Sequence, residues 1–220
     1  MAHVHPKLVA MSHSSLIPAS EFSTAPAMEF AGVRLEQLAA SHAPDLAEVV
    51  AAGRLDEDWF ATTPPAQQVE ANIAQRLDSQ AAGTMAPFAI IDTSAGKAVG
   101  ATAYLNIDAA NRRVEIGSTF LAVAAQGTGI NPAAKYLLLR RAFEVLGCYS
   151  VAFCTHWHNE ASRAAIARLG AKQDGVLRNH KYDPATGTLR DTVVFSILPH
   201  EWPAVRTQLK ARLRRHGRLG

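Results

Sequence analysis

The stretch Gln126-Gly127-Thr128-Gly129-Ile130-Asn131-Pro132 constrains this chain more than any other. It follows an alternating apolar run, Val114 to Val123, and opens a helical pattern that ends at Gly147. Strand, glycine turn and helix start therefore come in a row. Glycines let consecutive backbone N–H groups turn toward one point, and the helix dipole adds partial positive charge there. Such a cradle suits phosphate or pyrophosphate. Asn131 is a favoured N-cap and Pro132 suits the first helical position, which predicts a helix from Pro132 to Leu146. The same turn can also be plain strand-to-helix punctuation, so a second signal is needed.

That signal lies about thirty residues on, in Cys154-Thr155-His156-Trp157-His158-Asn159-Glu160-Ala161-Ser162. A short strand, Ser150 to Thr155, precedes it, and a helix follows with Asn159 as N-cap and Gly170 just past its end. Together the two units resemble the GNAT superfamily of acyl-CoA-dependent N-acyltransferases. The glycine turn is similar to that family's Q/R-x-x-G-x-G/A pattern at Gln126 and Gly129, with Asn131 in place of the last small residue. This replacement and the following Pro-Ala-Ala-Lys resemble the RimJ/RimL-type branch. So do Asn159 with Ser162, the run Gly175 to His180, and Arg190-Asp191-Thr192. The resemblance covers roughly residues 30 to 205.

It implies an α/β (α+β) GNAT fold: a mixed seven-stranded central sheet, flanked by helices, whose two central parallel strands splay apart. It also implies an acetyl-CoA-dependent N-acetyltransferase acting by direct attack in a ternary complex. Acetyl-CoA would be held without a metal by Phe120, Leu121, Val123, Gln126, Gly127, Thr128, Gly129, Ile130, Asn131, Asn159 and Ser162. The splay would lie between Val114–Val123 and Ser150–Thr155, with a bulge at Gly117 to Thr119 aiming a backbone N–H at the thioester oxygen. Many relatives use a helix tyrosine to protonate the departing thiolate. The matching position here is Ile166, and Ser162 is the expected substitute. Glu115 leads as base for the amine, with Arg112 or Arg113 as its alternative partners in a purely structural role. His156 and His158 rank behind it. Lys181 stands where some relatives carry a catalytic carboxylate, so a water chain is a further option for the base.

Composition removes several alternatives. The formal charge of +3 invites a nucleic-acid reading, but residues 201–220 carry a net +5 and the remaining 200 sum to −2. The basicity belongs to the tail, which would support at most a weak encounter with RNA or a ribosome. Cys148 and Cys154 have neither zinc-site spacing nor the geometry for a bridge within one strand, consistent with a reduced, cytoplasmic setting. No apolar run approaches the ~20 residues of a membrane span. Residues 1–27 read as a flexible extension, 28–205 as the acetyltransferase domain and 206–220 as a basic C-terminal helix end or tail, on a polar-faced helix that starts near Glu201. Partners are an amine acceptor, either a small molecule or a protein N-terminus, with a homodimer left open. Acceptor choice is assigned to the Arg54–Gln80 region and the Asp183–Arg190 hairpin. There Trp59 and Phe60, beside Asp56, Glu57 and Asp58, are candidates to receive a cationic amine.

Two rival readings remain. A non-catalytic acyl-CoA sensor is favoured by Ile166 and Lys181. A Rossmann dinucleotide domain is disfavoured, because Pro132 occupies the place of its third glycine and the turn sits in mid-chain.

Overall fold

The computed structural model describes residues 17–53, 55, 60, 63–184 and 186–220. Eight strands form one sheet: β1 (Met28–Phe30), β2 (Val33–Gln37), β3 (Ala86–Asp92), β4 (Lys97–Asp108), β5 (Arg113–Leu121), β6 (Ser150–His156), β7 (Lys172–Asp183) and β8 (Thr188–Ile197). Their order is β1-β2-β3-β4-β5-β6-β8-β7. Every neighbouring pair is antiparallel except β5–β6. The expected count was seven. The eighth strand is the three-residue β1, joined to β2 by Ala31 and Gly32, both at positive φ. A two-residue turn of that kind makes a tight hairpin, and three residues are too few for alternation to be visible.

Five helices cover the sheet: α1 (Ala43–Gly53), α2 (Val69–Ala81), α3 (Ile130–Arg140), α4 (Glu160–Ala167) and α5 (Trp202–Arg215). Helix α3 starts earlier than expected. Gly129, at φ +87°, is its N-cap, and Asn131 and Pro132 fall inside the first turn. A proline is tolerated there because a first-turn N–H has no helical partner to lose. The helix continues through a π-helical turn at Arg141–Val145. Residues 133–139 are buried without a break, so α3 is the central helix of the larger core. A smaller core gathers Leu46, Val50, Val69 and Ile73 from α1 and α2 against β3 and β4.

Residues on both sides of the expected domain limits pack on the core. Residues 17–27 are part of the fold: Phe22 is 1% exposed and belongs to the main core. The buried Arg141 Nη2 donates to the Glu21 carbonyl at 2.9 Å and to Thr24 Oγ1 at 2.6 Å. At the other end, α5 sends Val205, Leu209 and Leu213 into the same core. The tail's charges lie on the remaining faces of an amphipathic helix, which is why charge counting separated it from the domain.

Candidate active site

Strands β5 and β6 pair over three positions only, Arg113↔Ser150, Val114↔Val151 and Glu115↔Ala152. Beyond them the strands part. On its other side β5 changes register against β4 between Gly117↔Ala103 and Phe120↔Ala101, and Ser118 sits at φ +46°. This is the expected bulge, with Ser118 taking the left-handed conformation. The unpaired halves of β5 and β6, the start of α3 and one face of α4 enclose a cleft of about 620 Å³. That is within the ~300–1,000 Å³ usual for small-molecule sites.

At one end of the cleft lies the glycine turn. A Cβ on Gly127 (φ +74°) would meet nothing within 4 Å, so the backbone there is open to approach. The N–H groups of Gly127, Thr128 and Gly129 enter no hydrogen bond between described residues. Nor does any side chain cap α3. Free amides at an uncapped helix start are an anion receptor. Gln126, Gly127, Gly129 and Asn131 line the cleft, as do Phe120 and Leu121. Ile130 instead lies in the core at 2% exposure, and Val123 is 56% exposed on the outer surface. Thr128 turns its hydroxyl to the Ala125 carbonyl at 2.7 Å.

The far wall comes from α4. Asn159 caps it, its Oδ1 accepting from the Ser162 N–H at 2.8 Å. Its amide nitrogen has no partner among the described residues and can still donate into the cleft. Ser162 and Ile166 line the same wall, so the serine is brought to the cleft and no tyrosine is.

Glu115 sits one position before the strands part. It accepts from Asn106 Nδ2 at 2.8 Å, which replaces the expected Arg112 or Arg113 partner. The Cys154 thiol lies beside it and is pushed up to about 12 by burial first and by Glu115 second. Arg190 is near both, and its Nε is buried without a hydrogen-bond partner among the described residues. Cys154 and Arg190 line the cleft, whereas Glu115 stands just behind them. His156 also lines it, 7% exposed. Burial, reinforced by Arg190 and His158, holds its imidazole below the usual range and so neutral. Its Nδ1 accepts from the His158 N–H at 3.1 Å, which puts the proton of the neutral ring on Nε2. In that tautomer His156 carries its N–H at Nε2. Phe60 stacks loosely on it at 5.9 Å. Arg54, Trp59, Asp56, Glu57 and Asp58 lie outside the described residues. Lys181 is exposed on β7, opposite Arg190.

Two features of the cleft were not anticipated. Lys135, on α3, is 6% exposed and donates to Thr119 Oγ1 at 2.8 Å, on the bulged strand. Burial pushes its ammonium down to about 7. The clue was available, because Lys135 interrupts an otherwise apolar helical stretch from Ala133 to Leu139. The second is the tail: Arg212 and His216 line the cleft, and Arg218 Nε donates to the Thr128 carbonyl at 2.6 Å. Among the described residues, no cluster of three or more His, Cys, Asp or Glu is placed to hold a metal, and no helix is long and apolar enough to cross a membrane.

The family described as an acetyltransferase (GNAT) domain matches residues 33–172. A Bacillus subtilis protein provisionally named as a ribosomal N-acetyltransferase, YdaF, is 37% identical over 107 residues. That match takes in 49% of this chain and 57% of the relative, so little more than half of the relative's length is spanned. A GCN5-related N-acetyltransferase from Brucella melitensis superimposes with a TM-score of 0.76 at 31% identity, over 85% of both chains. Mycobacterium smegmatis RimJ, solved in complex with CoA-disulfide, shares the fold at a TM-score of 0.68 and 23% identity, over 88% of this chain and 93% of that one. The relative named for the ribosome supports the RimJ/RimL-type branch within this group. A sheet that opens between two parallel strands onto a glycine-capped helix start, with a domain match across most of its length, places this chain in the GNAT acetyltransferase family.

Proposed function

We propose that the protein moves an acetyl group from acetyl-CoA to a primary amine, with the N-terminus of a ribosomal protein as the favoured acceptor class. One observation carries the cofactor assignment. The strand splay, the uncapped start of α3 and the capped start of α4 all open into a single cleft. The donors present match an acyl-CoA: free amides at Gly127 to Gly129 for pyrophosphate, and a free Asn159 amide for the amide-rich arm. Acetyl-CoA would supply a thioester, whose carbonyl is open to attack by a neutral amine, with CoA thiol as the leaving group. The acceptor class rests on the name of YdaF.

The chain's own residues have three tasks. Backbone donors of the bulge around Ser118, which lines the cleft, have the task of stabilising a thioester oxygen. Glu115, behind Cys154 and Arg190, draws the amine proton away, directly or through water, and its Asn106 bond fixes the carboxylate. Ser162 returns a proton to the departing sulfur, in place of the tyrosine that Ile166 lacks. His156, with Nε2 protonated, orients an acceptor carbonyl. A cytoplasmic location follows from a ribosomal acceptor.

Gly127→Ala tests the cradle. Positive φ costs an alanine about 1–2 kcal/mol, which a domain of this size tolerates. The added methyl meets nothing in the protein and projects into open space. Calorimetry should give an acetyl-CoA dissociation constant at least ~10-fold higher for the variant. Equal affinity would remove the cradle assignment.

A further inference from the structure

Four basic residues converge on the cradle from outside the glycine motif: Arg168 at the end of α4, Arg212 on α5, and His216 and Arg218 just beyond α5. Arg168, Arg212 and His216 line the same cleft as Gly127 and Gly129. Arg212 Nη1 donates to the Arg168 carbonyl at 3.4 Å, and Gln208 Nε2 donates to the same carbonyl at 3.1 Å, so α5 is tied to the end of α4. Arg218 fastens the segment after α5 to the glycine loop. Its Nε bonds the Thr128 carbonyl, and its Nη1 reaches the Ala31 carbonyl at 3.2 Å. The packing is close: a Cβ on Gly129 would lie 2.8 Å from Arg218 Cδ and 3.0 Å from His216 Cβ.

Among the described residues, no carboxylate answers these charges. None of the ion pairs between described residues involves Arg168, Arg212 or His216. The charges around Arg212 are those of Arg168 and Arg215, and with burial they hold its guanidinium below the usual range. Cations held together without a counter-charge, facing a cleft, mark a place for an anion. The free amides of the glycine loop already account for one phosphate group. CoA carries a second, separate one, the phosphomonoester on its ribose 3′ oxygen, with close to two negative charges at neutral pH. Arginine forks are well matched to such a group.

Given the CoA reading above, we infer that Arg168, Arg212 and His216 form a receptor for the ribose 3′-phosphate, and that Arg218 positions this receptor by latching the tail to the glycine loop. The C-terminal segment is then a specificity element that separates CoA from its 3′-dephospho form. It is built from the residues whose charge, read from sequence, pointed to nucleic acid.

The test is calorimetric titration of the full chain with CoA and with 3′-dephospho-CoA, for the parent, Arg212→Gln and Arg212→Lys. The parent should bind CoA at least ~10-fold more tightly. Arg212→Gln should lose most of that preference by weakening CoA alone, and Arg212→Lys should keep part of it. Arg212 is half-buried, and circular dichroism with the retained 3′-dephospho-CoA affinity reports whether the glutamine variant is folded. The inference is overturned if the parent binds both compounds equally, or if Arg212→Gln weakens both alike or neither. A parent that binds neither compound contradicts the CoA reading itself, which is a different outcome from a parent that binds both.

Discussion

Replacing Lys135 by methionine should remove a pH dependence of stability that the wild-type chain carries. In the folded protein the Lys135 ammonium is pushed from 10.5 to about 7 by burial, and no ion pair between described residues involves it. In the unfolded chain it titrates normally. Between those two values the unfolded state holds a proton that the folded state lacks. Stability from this group therefore rises with pH through the window, at up to about 1.4 kcal/mol per unit. It is flat below pH 7, where both states are protonated. The full window is worth at most about 5 kcal/mol, and about 2 kcal/mol of that falls between pH 7 and 9. Methionine fills a similar volume, and the Thr102 and Thr119 hydroxyls still bond each other at 2.8 Å. Urea titrations of both proteins at pH 6, 7, 8 and 9 read the difference. With a slope of about 3 kcal/mol per molar, the wild-type midpoint should gain roughly 0.7 M on the variant between pH 7 and 9. Cys148 and Cys154, pushed by burial from 9.0 up to about 12, lower stability progressively from about pH 8 upward, and do so equally in both proteins, so the difference between them is unaffected. Parallel midpoint-versus-pH curves would refute the buried, weakly basic lysine.

Three further outcomes follow from the cleft and the core. Ser162→Ala should lower kcat by ten-fold or more with little change in CoA affinity, because a proton donor to the leaving sulfur acts only in the transition state; unchanged turnover would assign that proton to solvent. Glu115→Gln should cut the rate most at low pH, where few amine molecules are already neutral, and a uniform loss across pH would reduce Glu115 to a positioning role. Leu213→Ala should destabilise the fold by about 2–5 kcal/mol in a melt, since Leu213 is fully buried; no shift would return residues 206–220 to the status of a detachable tail.

The centre of the fold was legible because its signals are local. The alternation of β5, the two glycines after it and the apolar stripe of α3 follow one another along the chain. Asn159 and Ser162 sit at capping spacing, and the cap forms where the spacing put it. What escaped is non-local. Strand β1 is three residues long and depends on a turn at Ala31-Gly32. Phe22 and Arg141 are 119 positions apart, and only the folded chain brings the residues around Phe22 against that guanidinium. The helix closing the chain was legible near Glu201, but its buried stripe, Val205, Leu209 and Leu213 at a spacing of four, is masked by the six basic residues around it. The helix start at Gly129 was displaced because the strong capping preference of Asn131 was weighed above the left-handed freedom of glycine. The tautomer of His156 depends on the His158 backbone, which no spacing rule exposes.

The central claim is that an acyl-CoA held in this cleft gives its acetyl group to an amine. The direct measurement is release of CoA thiol from acetyl-CoA, followed with and without a panel of N-terminal peptides and small amines, with the acceptors weighed by mass spectrometry. The account predicts thiol release that depends on one class of acceptor, in equal amount with its mono-acetylated product. Tight binding of acetyl-CoA with no acceptor-dependent release across the panel would contradict it and make the protein an acyl-CoA sensor.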